Sequence, residues 1–146
     1  MAYVARASLL LPVSAEKAFD RLTDHGSWPR WMPASFRPHG STVGRLSEGQ
    51  RFRVKILGLP LPVSCRVSVM RSGAEVTWVG GVKGALFAEH RFLFEPRGPS
   101  SVFVDSVETW SGPLAALLRA AIHPGAVKVG REQLAALAAE LATATP

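Results

Sequence analysis

Arg51-Phe52-Arg53-Val54-Lys55-Ile56 alternates a basic side chain with an apolar one through six residues. Successive side chains of a strand point to opposite faces, so this pattern predicts a strand with one wet and one buried face. The next segment continues the period of two. Val63, Cys65, Val67 and Val69 face one way and Ser64, Arg66, Ser68 and Met70 the other, with Gly58-Leu59-Pro60-Leu61-Pro62 as the turn between the two strands. Further strands are predicted over 74–80, 86–95 and 101–110, separated by Arg71-Ser72-Gly73, by Gly80-Gly81-Val82-Lys83-Gly84 and by Pro96-Arg97-Gly98-Pro99. Connections this short favour an antiparallel meander.

Toward the N-terminus, residues 3–11 read as a strand with Ala5, Ala7, Leu9 and Leu11 on one face, ended by Pro12. Ser14 then precedes Ala15, Ala18, Phe19 and Leu22, a helical spacing with a competent N-cap, which predicts a helix over about 15–24. Gly26 stops it, and Ser27-Trp28-Pro29-Arg30-Trp31-Met32-Pro33 predicts a second short helix with proline in its first turn. Toward the C-terminus, Gly112-Pro113 opens an alanine- and leucine-rich helix reaching Leu141. Its apolar set before Pro124 is Leu114, Leu117, Leu118, Ala121 and Ile122; after it the set is Val127, Leu134, Leu137, Ala138 and Leu141. In an unbroken helix these sets lie about half a turn apart, so a kink at Pro124 is expected to restore a common buried face.

The expected fold class is α+β: a curved antiparallel sheet of about seven strands wrapped around a long C-terminal helix, with two short helices between strands 1 and 2. With 146 residues the chain is read as one domain, 1–146. Hydrophobic residues make up 47% and charged residues 19%, which excludes general disorder, while runs such as Leu9 to Val13 are far too short to span a bilayer. Cys65 is the only cysteine, so no internal disulfide is available, and with no signal-peptide pattern a cytoplasmic location is the expectation. The net charge is +6 and the pI near 10.4. Arg51, Arg53, Lys55 and Arg66 share a wet face without interleaved aromatics, so no nucleic-acid partner is expected, and a weak contact with anionic membranes stays open.

Taking the even positions as inward places Phe52, Val54, Ile56, Trp78, Phe92, Phe94 and Trp110 on the concave side, joined by Cys65 and Val67. Two polar residues share that face. His90 lies in phase with Phe92 and Phe94, Glu108 lies in phase with Trp110, and the turn at 96–99 brings the two together as cross-strand neighbours. Such a pair either satisfies itself as a structural hydrogen bond or holds and protonates the polar end of a ligand. Trp28 and Trp31 either plug the base of the core or rim a cavity entrance. His25, His39 and His123 lack the spacing of a metal site, so neither metal nor cofactor is expected. Cys65 reads as a small buried hydrophobe, and Gly81-Val82-Lys83-Gly84 as a turn.

Pro12-Val13-Ser14-Ala15-Glu16-Lys17-Ala18-Phe19, Trp28-Pro29-Arg30-Trp31-Met32-Pro33, His90-Arg91-Phe92-Leu93-Phe94-Glu95-Pro96 and Glu108-Thr109-Trp110-Ser111-Gly112-Pro113-Leu114 occur in that order. In this order and spacing the chain resembles the SRPBCC superfamily of START-like, helix-grip proteins, especially its polyketide cyclase/dehydrase and lipid-transport branch. The resemblance implies an internal cavity between sheet and C-terminal helix for a small hydrophobic molecule such as a lipid, sterol or polyketide. Set beside the inward positions, it suggests a lining of Trp31, Phe52, Val54, Ile56, Cys65, Val67, Trp78, His90, Phe92, Glu108 and Trp110, with Leu117 and Ala121 from the helix. Three functions stay open: a ligand-binding module, a cyclase or dehydratase using His90 and Glu108 as acid and base, and a partner-binding regulator acting as monomer or homodimer. Tyr3 is the only tyrosine and asparagine is absent, which departs from the polar lining of the aromatase/cyclase branch.

Overall fold

The computed structural model describes residues 3–42 and 44–143. Seven strands, β1 (Tyr3–Leu11), β2 (Phe36–Pro38), β3 (Arg51–Ile56), β4 (Val63–Arg71), β5 (Glu75–Val82), β6 (Leu86–Pro96) and β7 (Val102–Ser111), form one antiparallel sheet in the order β1-β7-β6-β5-β4-β3-β2. Between β1 and β2 lie α1 (Ala15–Leu22), a 3-10 turn (His25–Ser27) and α2 (Trp28–Trp31); after β7 come α3 (Pro113–Leu117) and α4 (Arg119–Thr143). The sheet curls around α4, which packs chiefly on β1 and β7, as the helix-grip arrangement requires.

Local chemistry accounts for the elements. The Ser14 side chain accepts the Lys17 amide N–H at 3.2 Å, so α1 starts where its cap stands, and Ala15, Ala18, Phe19 and Leu22 form its buried face. In β3, Phe52 and Val54 are buried while Arg51, Arg53 and Lys55 are exposed. The alternation in β4 holds only to Val67. A bulge between Val67 and Val69 shifts the pairing with β5, and the next side chain packed against the core is that of Met70. One extra residue in a strand exchanges its faces, so Val69 is not the inward residue that an unbroken period of two predicts.

The C-terminal helix is interrupted at Leu118, six residues before the expected site, and Pro124 is carried within α4. The cause is tertiary. Gly112 turns with φ +99°, and the Leu114 N–H donates to the Ala85 carbonyl at 3.0 Å, which ties α3 to the β5–β6 turn. Freed from that direction, α4 buries Ala126, Val129, Gly130, Gln133, Leu134, Leu137 and Leu141 in a regular helical stripe. The apolar set before Pro124 therefore does not turn inward: Leu114, Leu117, Leu118 and Ala121 are exposed.

The main core lies under α1, α2 and the far part of α4. Trp28 is fully buried, its indole N–H donates to the Leu22 carbonyl at 2.9 Å, and it touches the rings of His25, Phe36, Phe52 and Trp78. Glu140, buried on α4, joins this end through Arg30 at 2.6 Å and Arg21 at 3.1 Å.

Candidate functional site

Past Trp78 the concave side is hollow. An inner chamber of about 80 Å³ is walled by residues of β2 to β7, among them Cys65, Trp78, Ala88, His90, Glu108 and Trp110. It continues, past the shared residues Phe36, Ile56, Leu59, Leu86, Glu108 and Trp110, into an outer groove of about 390 Å³ under Ala121, Ile122, Gly125, Ala126 and Val129 of α4. The lining is mostly apolar, and a narrow apolar recess with a few convergent polar groups is the usual form of a small-molecule site.

The polar groups are fixed by β pairing. His90 and Glu108 are directly opposite in the β6–β7 ladder, and His90 Nδ1 lies 3.2 Å from Glu108 Oε2. The other ring nitrogen, Nε2, lies 2.7 Å from Ser106 Oγ. The Trp110 indole N–H donates to Glu108 Oε1. Both nitrogens of His90 are thus engaged within the protein, and its ring is held between Phe92, stacked at 4.3 Å, and Trp78 at 5.4 Å. Burial pushes the His90 pKa down to about 3, so the imidazole is neutral near pH 7. Burial pushes Glu108 up to about 7, opposed by the Trp110 hydrogen bond. Burial, with Glu108 adding to it, raises the Cys65 thiol to about 12 and leaves it a neutral wall residue.

Glu108 is therefore the group of the pair that faces the cavity with acceptor capacity to spare. Oε1 accepts from the Trp110 indole and Oε2 lies beside His90 Nδ1, while an ionised carboxylate has about four acceptor sites. His90 acts on it from the side, and Ser106 holds His90.

Of the residues suggested by the sequence, the structure brings Ile56, Cys65, Trp78, His90, Glu108 and Trp110 onto the chamber wall and Ala121 onto the groove. It packs Phe52, Val54, Val67 and Phe92 into the core beneath, because Trp28 and α1 already fill that half of the concave side. Trp31 packs on the edge of the same core, its indole N–H on Ser27 Oγ at 2.8 Å, and lines neither space. Leu117 is 78% exposed on the outer side of α3, a consequence of the break at Leu118. The wall residues Leu86 and Ala88, and Ser106 behind His90, continue the even positions of β6 and β7 and were open to the same parity argument. Phe36 sits on a strand of three residues, too short to show a period.

The groove opens at the end of the sheet that carries the β3–β4 turn, the β5–β6 turn and α3. Exposed apolar side chains lie at this end of the sheet: Leu57 and Leu118 on the groove itself, and Leu61 (72% exposed), Val82, Leu114 and Leu117 on the neighbouring turns and α3, beside Lys83 and Arg119. Arg51, Arg53, Lys55 and Arg66 lie on the opposite, convex face, all exposed. Among the described residues no helix is long and apolar enough to cross a membrane.

The fold has close structural counterparts. Norcoclaurine synthase from Thalictrum flavum, solved with dopamine and hydroxybenzaldehyde, superposes with a TM-score of 0.73 at 12% identity over 100% of this chain and 90% of that one. A START superfamily protein from Mycobacterium smegmatis gives 0.69 at 17% identity, covering 97% and 99%. A hypothetical protein from Helicobacter pylori gives 0.72 at 20%, covering 94% and 87%. No curated protein sequence matches the chain. Residues 4–142 match the family described as polyketide cyclase / dehydrase and lipid transport. With nearly its whole length accounted for, the chain belongs to that family, within the START-like SRPBCC superfamily.

Proposed function

We propose that this protein binds a small hydrophobic molecule between sheet and α4, its body in the outer groove and its polar end in the inner chamber beside Glu108. One observation carries the reading: an apolar recess leads from an exposed apolar mouth to a single polar pair, His90 and Glu108. Burial of ligand surface supplies the affinity at about 25 cal/mol per Å², and the pair fixes orientation. Native mass spectrometry of protein purified gently from its own host, compared with the denatured mass, tests it. A released apolar molecule supports the reading; a protein that is empty and also ignores a panel of lipids and aromatic compounds overturns it.

An enzyme of cyclase or dehydratase type is the second reading, favoured by the Glu108 carboxyl titrating near neutrality, where a general acid or base works best. In that case Glu108 meets the substrate and His90, with both nitrogens occupied, positions it. Binding is the better supported of the two, since confinement in the groove would have to supply most of the remaining catalysis.

A further inference from the structure

The walls of chamber and groove are unbalanced in charge. Among the described residues that line them, Glu108 is the one acidic side chain, and no lysine or arginine is present. The groups around Glu108 do not supply a compensating cation. On β6, His90 is held neutral by burial. From β4, Cys65 is a neutral thiol, and from β1, Tyr3 is raised by burial and then by Glu108, so its phenol keeps its proton. α4 contributes Gly125, Ala126 and Val129 to the groove; its Arg119 lies over the Tyr3 ring at 5.5 Å, and His123 meets that same ring at 5.8 Å. Three aromatic side chains, Phe36, Trp78 and Trp110, wall the space that Glu108 faces.

A carboxylate or phosphate placed here would set two like charges together in an apolar recess, with desolvation and repulsion both opposing it. An ammonium group gains on both counts. It pairs with the carboxylate, and aromatic rings attract a desolvated cation through their quadrupole. We infer that the ligand of this cavity carries a protonated amine on an apolar body, the amine held at Glu108 within the rings of Phe36, Trp78 and Trp110. This rests on the proposed hydrophobic-ligand reading and narrows it: fatty acids and phosphate-bearing lipids are excluded, and alkylamines or arylalkylamines are admitted.

The test uses three probes that share one body, 4-phenylbutylamine, 4-phenylbutanol and 4-phenylbutanoic acid, titrated by calorimetry into the full chain between pH 5.5 and 8. Over that range the amine stays protonated and the acid ionised. The expected result at pH 8 is an amine bound at least about tenfold more tightly than the alcohol, with the acid weakest. The carboxylate anchor is lost as Glu108 takes up its proton, so amine affinity falls by about tenfold toward pH 5.5 while alcohol affinity stays level. Glu108→Gln removes the amine preference over the alcohol and its pH dependence. The pH series on the unaltered protein stands even if the variant fails to fold. Equal binding of the three probes, or preference for the acid, overturns the amine inference and leaves the apolar-ligand reading intact. No binding of any probe up to millimolar concentration overturns both.

Discussion

The indoles of Trp28 and Trp78 meet at 5.6 Å with 56° between their planes, and this contact divides the concave side of the sheet into a filled half and a hollow half. Trp28 belongs to the filled half, wedged among His25, Phe36 and Phe52. On its other flank Trp78 faces His90 and the chamber. Substitutions on the two sides of this partition should act on different properties. Trp28→Ala is expected to cost about 3–5 kcal/mol of folding stability, as large-to-small core changes do. Ala88→Leu, on the chamber wall, is expected to hold or raise stability and weaken ligand binding at least about tenfold. Urea denaturation and ligand titration of both variants check the contrast; a large stability loss in Ala88→Leu would mean that the chamber is not hollow.

The titration of the polar pair predicts an uneven pH profile. Glu108 rises from 4.5 to about 7 on folding, so between those values the folded chain holds a proton that the unfolded chain has released. Stability therefore falls as pH rises through that window, by about 3 kcal/mol in total. His90 drops from 6.5 to about 3, so stability falls as pH decreases through that range. The two offset each other between pH 4.5 and 6.5, leaving a plateau with a steep loss below it and a mild loss above. Glu108→Gln is expected to exceed the wild type in stability by up to about 3 kcal/mol at pH 8 and by less than about 1 kcal/mol at pH 5. Denaturation midpoints at the two pH values decide this, and equal differences at both would remove Glu108 as the titrating group.

Gln133 offers a separate test on α4. Its side chain is fully buried, and neither amide atom has a hydrogen-bond partner among the described residues. Desolvating an unpaired amide costs about 1–3 kcal/mol, so Gln133→Met, close in volume, is expected to raise stability by about 1–2 kcal/mol. A loss on thermal or urea unfolding would instead assign the amide a partner such as a buried water.

Gly112 is a tight point beside the mouth. At φ +99° a Cβ would stand 2.3 Å from the Ala85 carbonyl oxygen, a backbone atom that cannot swing aside. Gly112→Ala should cost more than about 2 kcal/mol and loosen α3 from the β5–β6 turn. Faster amide hydrogen exchange at Leu114, whose N–H donates to Ala85, is the accompanying sign.

Much of this site was legible in the alternation of the strands. A period of two placed Trp78, His90, Glu108 and Trp110 on one face, and a short β6–β7 turn made His90 and Glu108 direct neighbours, as the register has it. Other features have no local signature. The bulge that exchanges Val69 for Met70 is marked by no glycine or proline, and nothing in the residues 113–121 announces that a hydrogen bond to Ala85 will turn α3 away and leave Leu117 in solvent. Division of the inward set into core and cavity depends on where Trp28 comes to rest, a tertiary fact set by the path of α1 and α2. Ser106 was within reach of the same parity, yet a serine between Val104 and Glu108 gains meaning only from the diagonal approach of His90.

The turn between Ile56 and Val63 supplies Leu57, Gly58, Leu59 and Pro60 to the groove, while the last β3–β4 pair, Val54 with Val63, closes the ladder behind it. Those six residues take no part in the β3–β4 pairing, and none of them belongs to the buried core. The rim of the groove is thereby shaped by a hairpin on which the core does not depend.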